Sequence, residues 1–173
     1  MNKPIILSRF EMIKKIKAAA DSRNDDNFLL IARTDARGVE GFDASVDRAK
    51  AYIDAGADMI FPEAMKSLKE FEAFRKAISA PLLANMTEFG KSRLLTKKEL
   101  ENLGYNLVIY PVTTQRLAMF GVEKGLNAIK ESGSADSVLD IMQTRSRLYD
   151  VLGYSQYNNF DENLYNFKLN KKQ

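Results

Sequence analysis

The sequence predicts an α/β fold: about four consecutive βα units, half of a TIM-type β/α barrel, followed by a helical extension. Three observations lead there. Four short apolar runs, at residues 28–32, 59–61, 82–84 and 107–110, do not alternate polar with apolar, which is the pattern of strands buried on both faces of a parallel sheet. Segments with helical periodicity separate them. Closure of such a barrel takes eight strands and about 250 residues, so a chain of 173 residues with four strands leaves half of it unaccounted for.

The elements follow in order. A first helix starts at Ser8 with Glu11 three residues on, the hydroxyl and carboxylate of a capping box. After the first strand, Val46, Ala49 and Ile53 share one helical face, and Gly56 marks the helix end. After the second strand, Ser67 and Glu70 form another capping pair ahead of Phe71, Phe74 and Ile78. After the third, Thr96 and Glu99 repeat the device before Leu100 and Leu103, with Gly104 as the stop. A last barrel helix follows the fourth strand. Beyond the Ser132-Gly133-Ser134 break, residues 134–167 predict two or three helices dense in Leu, Tyr and Phe, and 168–173 a short tail. Residues 1–133 thus read as the partial barrel. The extension's large apolar groups require a surface to pack on, in this chain or another.

Composition excludes much. With no Cys and no His there is no disulfide, thiolate nucleophile, imidazole base or usual zinc ligand. The net charge of +3 has no basic stripe with interleaved aromatics, which argues against nucleic-acid binding. Lys14, Lys15 and Lys17 read as the wet face of a helix, and Lys168, Lys171 and Lys172 as a solvated end. No apolar run approaches the length of a membrane span and no signal peptide is visible, so the expected setting is the cytoplasm.

In a β/α barrel, catalytic groups sit where strands end. The first strand ends in Arg33-Thr34-Asp35, the second in Pro62-Glu63, the third in Asn85-Met86-Thr87-Glu88, and the fourth runs into Tyr110-Pro111 with Arg116 beyond. Arg33 and Arg116 carry forked donors that match carboxylates or phosphates. Glu63 is an acceptor for a hydroxyl, a proton or a metal-bound water, and Asn85 and Thr87 bond a further carboxylate. Each also has a bland reading. Arg33 with Asp35 is a rim ion pair, Glu63 an exposed loop carboxylate, Asn85 a turn closer, and Arg116 a surface cation. Only their arrival at one strand end favours a site for a small, oxygen-rich anion.

The stretches IARTDAR, MIFPEA, LLANMTEFG, IYPVTTQR and MQTRSRLYD, in that order, resemble the 2-methylisocitrate lyase family of the isocitrate lyase and phosphoenolpyruvate mutase superfamily. The likeness runs from about Asn2 to about Phe167 and identifies the chain as the C-terminal half of such a barrel. It implies cleavage of 2-methylisocitrate, a small tricarboxylate, to pyruvate and succinate with bound Mg2+, as in propionate catabolism. It further implies Arg33, Glu63, Asn85, Thr87, Arg116 and, on the tail, Arg145 as substrate contacts, and a homo-oligomer whose C-terminal helices are exchanged between subunits. The family's catalytic cysteine loop, its magnesium aspartates and an early serine–glycine loop lie upstream of the matched segment. No catalytic or metal-ligating residue is therefore expected in this chain, and the chain alone is expected to be inactive. Met1 is expected to be an internal methionine of a broken or misassigned reading frame; the less favoured expectation is a second polypeptide that supplies the other half, because separate halves must first find each other. A non-catalytic partner of a full-length lyase is the alternative, as is another superfamily activity: isocitrate lyase, phosphonate mutase or oxaloacetate decarboxylase.

Overall fold

The computed structural model describes residues 5–90 and 92–166. Phe167 and the tail expected over 168–173 lie outside them. The chain divides into two compact units between Arg116 and Leu117, and each is described by itself.

The first unit alternates helices with parallel strands: α1 (Arg9–Asp21), β1 (Ile31–Thr34), α2 (Ala36–Val39), α3 (Phe42–Asp54), β2 (Met59–Pro62), α4 (Leu68–Ala77), β3 (Leu83–Asn85), α5 (Lys97–Asn102) and β4 (Leu107–Ile109). Helix α6 (Thr113–Ser132) begins in it. β1 pairs with β2 and β3 with β4, all parallel. A single parallel bridge, Ile60 opposite Leu82, joins the two pairs, with the Ile60 amide donating to the Pro81 carbonyl at 3.0 Å. The strand order is therefore β1-β2-β3-β4, the run of βα units expected from the sequence.

One device recurs at both pairs. Asp58, the residue before β2, accepts the Leu30 amide at 2.8 Å, and Asn106, the residue before β4, accepts the Leu82 amide at 3.1 Å. Each sits two residues after a glycine with positive φ, Gly56 at 106° and Gly104 at 84°, where a left-handed turn brings the helix end back onto the next strand. A side chain at Gly56 would also collide with Ala20, whose Cβ stands 2.7 Å from the position a Cβ would take.

Ser8 and Thr96 make the full capping boxes expected of them. Ser67 caps α4 by accepting from the Glu70 amide, but Glu70 does not complete the box. Its carboxylate takes the Arg37 guanidinium instead, at 2.5 and 3.0 Å, and the Lys66 amide at 2.8 Å. A charged partner outcompetes a neutral backbone donor. The first strand also starts later than expected: Phe28 and Leu29 stand exposed, and the ladder begins with the Leu30 carbonyl.

The core lies between the sheet and the helices. Ala32, Ile60, Leu82 and Ala84 meet Ala49, Tyr52, Phe71, Phe74 and Leu100 there. Phe42 packs edge-on to Phe74, ring centroids 6.2 Å apart. The opposite sheet face is less covered: Met59 and Leu83 are buried, but Ile31, Phe61 and Ile109 are only half-buried and Leu107 is exposed. The expectation that both faces are buried is corrected here. The apolar pattern suits a closed cylinder, whereas four strands cover only one side of themselves.

The second unit holds the rest of α6, a 3-10 turn (Asp136–Ile141), α7 (Arg145–Leu152) and α8 (Tyr154–Tyr165). Tyr149 and Tyr154 stack with centroids 4.5 Å apart. No helix among the described residues is long and apolar enough to cross a membrane.

Candidate active site

Register places the polar groups. Arg33 lies opposite Phe61, so both project from the same sheet face, and the guanidinium carbon stands 4.9 Å from the Phe61 ring centre. The Glu63 amide donates to the Thr34 carbonyl at 3.0 Å, carrying the β1–β2 ladder one step past the strand. Continued from Ile60 and Leu82, the β2–β3 register sets Glu63 level with Asn85. Asp35, Glu63 and Asn85 thus form one row across three adjacent strand ends.

That row is bonded throughout. Arg33 donates Nε and Nη2 to the two oxygens of Asp35, both at 2.8 Å, and its Nη2 also lies 3.2 Å from Glu63 Oε2. Asn85 Nδ2 donates to the same Glu63 oxygen at 3.2 Å, and Thr87 Oγ1 donates to Asn85 Oδ1 at 2.6 Å. Glu63 Oε1 accepts the Ala64 amide at 3.1 Å. Asp35, then Glu63, hold the Arg33 guanidinium above the usual arginine pKa, against its partial burial, so it stays a fixed cation. A cleft of about 290 Å3 opens over the row, lined by Arg33, Asp35, Glu63, Asn85, Thr87 and Ser92.

Four of the six expected substrate contacts therefore line one cleft: Arg33, Glu63, Asn85 and Thr87. Arg116 does not line it. It lies in the first turn of α6, where Nη1 donates to the Glu88 carbonyl at 3.1 Å and to Glu88 Oε2 at 2.8 Å. Arg145 is the exposed first residue of α7, in the second unit. Asp35 and Ser92 also line the cleft but were not singled out as contacts; the strand-end rule reaches Asp35, while Ser92 lies in a loop with no such signal. Three non-glycine residues adopt left-handed φ just past strand ends: Ala64 (62°), Phe89 (60°) and Val112 (56°). Nothing in Ala, Phe or Val announces that conformation, and such strain collects at functional rims.

The residues present do not fit a magnesium site. Among the described residues no group of three or more acidic, His or Cys side chains is placed to hold a metal ion, and Asp35 and Glu63 are both engaged by Arg33.

The fold is a run of βα units from a β/α barrel, with a row of charged and amide side chains at its strand ends. Residues 2–130 match the phosphoenolpyruvate phosphomutase family, and the chain belongs to that family. It is 57% identical over 158 residues to a probable 2-methylisocitrate lyase of Corynebacterium glutamicum, which covers 91% of this chain and 52% of the relative. With 2-methylisocitrate lyase of Aeropyrum pernix it shares 49% identity over 90% of this chain and 50% of the relative. The chain thus spans about half the length of the curated relatives it matches. Among solved structures it superposes on oxaloacetate acetylhydrolase bound to 3,3-difluorooxalacetate with a TM-score of 0.86 at 28% identity, covering 98% of this chain and 57% of that one. For phosphonopyruvate hydrolase, solved with oxalate and Mg2+, the TM-score is 0.79 at 26% identity, over 94% of this chain and 58% of that one.

Proposed function

We propose that this chain supplies one side of a 2-methylisocitrate lyase active site, the side that binds and neutralises substrate carboxylates for cleavage to pyruvate and succinate. The observation that carries the reading is the bonded row of Asp35, Glu63 and Asn85 with Arg33 over Phe61, which sets a fixed cation, an acceptor and an amide at one cleft. Arg33 and Arg116 are the cations in this reading. They offset charge as the carbon–carbon bond breaks, as donors already oriented by Asp35 and Glu88. Glu63, bridged between Arg33 and Asn85, meets the substrate hydroxyl region. Asn85 and Thr87 complete the binding of a carboxylate. Arg145 joins them on the strength of the family pattern alone.

The proton donor and the magnesium ligands are not among these residues, since the chain holds neither Cys nor His and its cleft carboxylates are engaged. Activity therefore requires the other half of the barrel, and the chain alone is inactive. The reading includes a cytoplasmic homo-oligomer in which residues 134–167 pack on another subunit. Many apolar side chains of that segment, Leu152, Tyr157, Phe160 and Leu164 among them, are exposed in the chain by itself.

The experiment measures pyruvate release from 2-methylisocitrate and from oxaloacetate, and glyoxylate release from isocitrate, for the chain alone and for the chain joined to the upstream half of its Corynebacterium relative. Silence from the chain alone is expected, with turnover of 2-methylisocitrate once joined and loss of that turnover in Arg33→Ala. Consumption of oxaloacetate alone by the joined protein refutes the lyase reading.

A further inference from the structure

Arg33 and Arg116 are held differently. Arg33 gives both Nε and Nη2 to Asp35, so the forked edge of its guanidinium is already closed. Arg116 is gripped by Nη1 alone, through two oxygens of Glu88, one from the backbone and one from the side chain. Its Nε and Nη2 have no protein partner among the described residues. Those two nitrogens form the edge that pairs with a carboxylate through two parallel hydrogen bonds.

Glu88 is itself positioned. Thr113, the first residue of α6, donates its hydroxyl to Glu88 Oε1, so one carboxylate oxygen is fixed by Thr113 and the other by Arg116. The next residue, Phe89, takes φ of 60° and stands 96% exposed, with the Arg116 guanidinium carbon 5.6 Å from its ring centre. An aromatic held in a strained conformation without burial gains nothing from the core, and its contact here is the cation. A second left-handed residue, Val112, precedes α6, and its carbonyl accepts the Arg116 amide at 2.8 Å. The loop after β3 and the start of α6 thus meet at one arginine.

We propose that Glu88 is a positioning residue: with Thr113 and Phe89 it clasps Arg116 by Nη1 and leaves Nε and Nη2 presented as a carboxylate-binding fork. This deepens the proposed function and rests on it for the identity of the bound group. The clasp itself requires only the geometry above.

The test uses the 173-residue chain, with oxalate as the carboxylate probe and the Arg116 side-chain N–H signals as the readout. In the parent protein these signals are slow to exchange and dispersed, and oxalate shifts the Nε signal. Glu88→Ala returns them to the values of a mobile arginine and weakens oxalate binding about tenfold, the effect of losing roughly one charge-assisted hydrogen bond's worth of positioning. Glu88→Gln, which still offers an oxygen to Nη1, recovers most of both. Thr113→Val, a gentler change at the same carboxylate, weakens binding in the same direction. Arg116 signals unchanged in Glu88→Ala overturn the clasp. If the clasp signals are intact in the parent but oxalate leaves Arg116 untouched, Arg116 does not bind substrate, and the proposed function fails at that residue instead.

Discussion

Replacing Arg48 by Met tests what fixes the segment leading into the barrel. Arg48 lies on α3 and is 6% exposed. It donates Nε and Nη2 to the two Glu40 oxygens at 2.7 and 2.6 Å, and Nη1 to the Leu7 carbonyl at 3.0 Å and the Tyr52 hydroxyl at 3.2 Å. Methionine keeps most of the alkyl packing and removes all four bonds. Breaking a buried ion pair costs about 3–5 kcal/mol when the abandoned charge stays buried. Here the Glu40 side chain is 36% exposed and turns to water, which removes part of that penalty. The Leu7 carbonyl and the buried Tyr52 hydroxyl lose a donor each, at about 1 kcal/mol apiece. The expected loss is therefore about 2–3 kcal/mol, read as a shift of the urea midpoint at pH 7 with an unchanged slope. The Arg48 hydrogen bonds hold the Glu40 carboxyl below the usual carboxylate range. A depressed folded-state pKa means the pair stabilises above the unfolded value of about 4.3 and ceases to do so as pH falls through the folded value. The gap between parent and variant should narrow in acid by the Glu40 part and keep the part owed to the Leu7 and Tyr52 bonds. A loss below about 1 kcal/mol at pH 7, or one of equal size in acid, refutes the account.

Two further outcomes follow from local geometry. Gly56→Ala meets both a φ of 106° and the Ala20 Cβ, whereas Gly104→Ala meets a φ of 84° and only the flexible Arg75 side chain at 3.3 Å. The first should cost about 2 kcal/mol or more and the second about 1; equal melting temperatures for the two refute the steric argument. Asp35→Asn removes the carboxylate that closes the fork of Arg33 and one negative charge from the cleft. Oxalate should bind more tightly, about threefold or more by isothermal titration, and weaker binding means that Asp35 positions Arg33 for the anion rather than competing with it.

The barrel order was legible because local punctuation recurs along the chain: a hydroxyl and a carboxylate three apart open α1, α4 and α5, a glycine follows α3 and α5, and an apolar run precedes or follows each helix. What escaped depended on competition between partners distant in sequence. Glu70 reads as a capping carboxylate until Arg37, 33 residues away, is brought beside it. The rim was legible in part. Arg33, Glu63, Asn85 and Thr87 follow from the strand-end rule, but that rule gives no distances. It does not reveal that the Arg33 fork is spent on Asp35, or that Arg116 belongs to Glu88. Short α2 and the left-handed Ala64, Phe89 and Val112 carry no sequence signal, since tertiary packing and not propensity imposes them.

The core and the polar cleft use opposite faces of the same strands. Ala32, Ile60, Leu82 and Ala84 face the helices and join the cluster that includes Phe71, Phe74 and Leu100. Their neighbours Arg33, Phe61 and Asn85, one residue along, face the other way and carry the cleft, while Ile31, Leu107 and Ile109 beside them are incompletely covered. Because strand side chains alternate, a one-residue slip of any strand would exchange the two sets and put a guanidinium into the core. The helix-side core therefore fixes the register, and the register fixes which groups meet at the rim. That is why four strands suffice to set Arg33 beside Asp35 and Glu63 beside Asn85 even though the face from which they project is not enclosed.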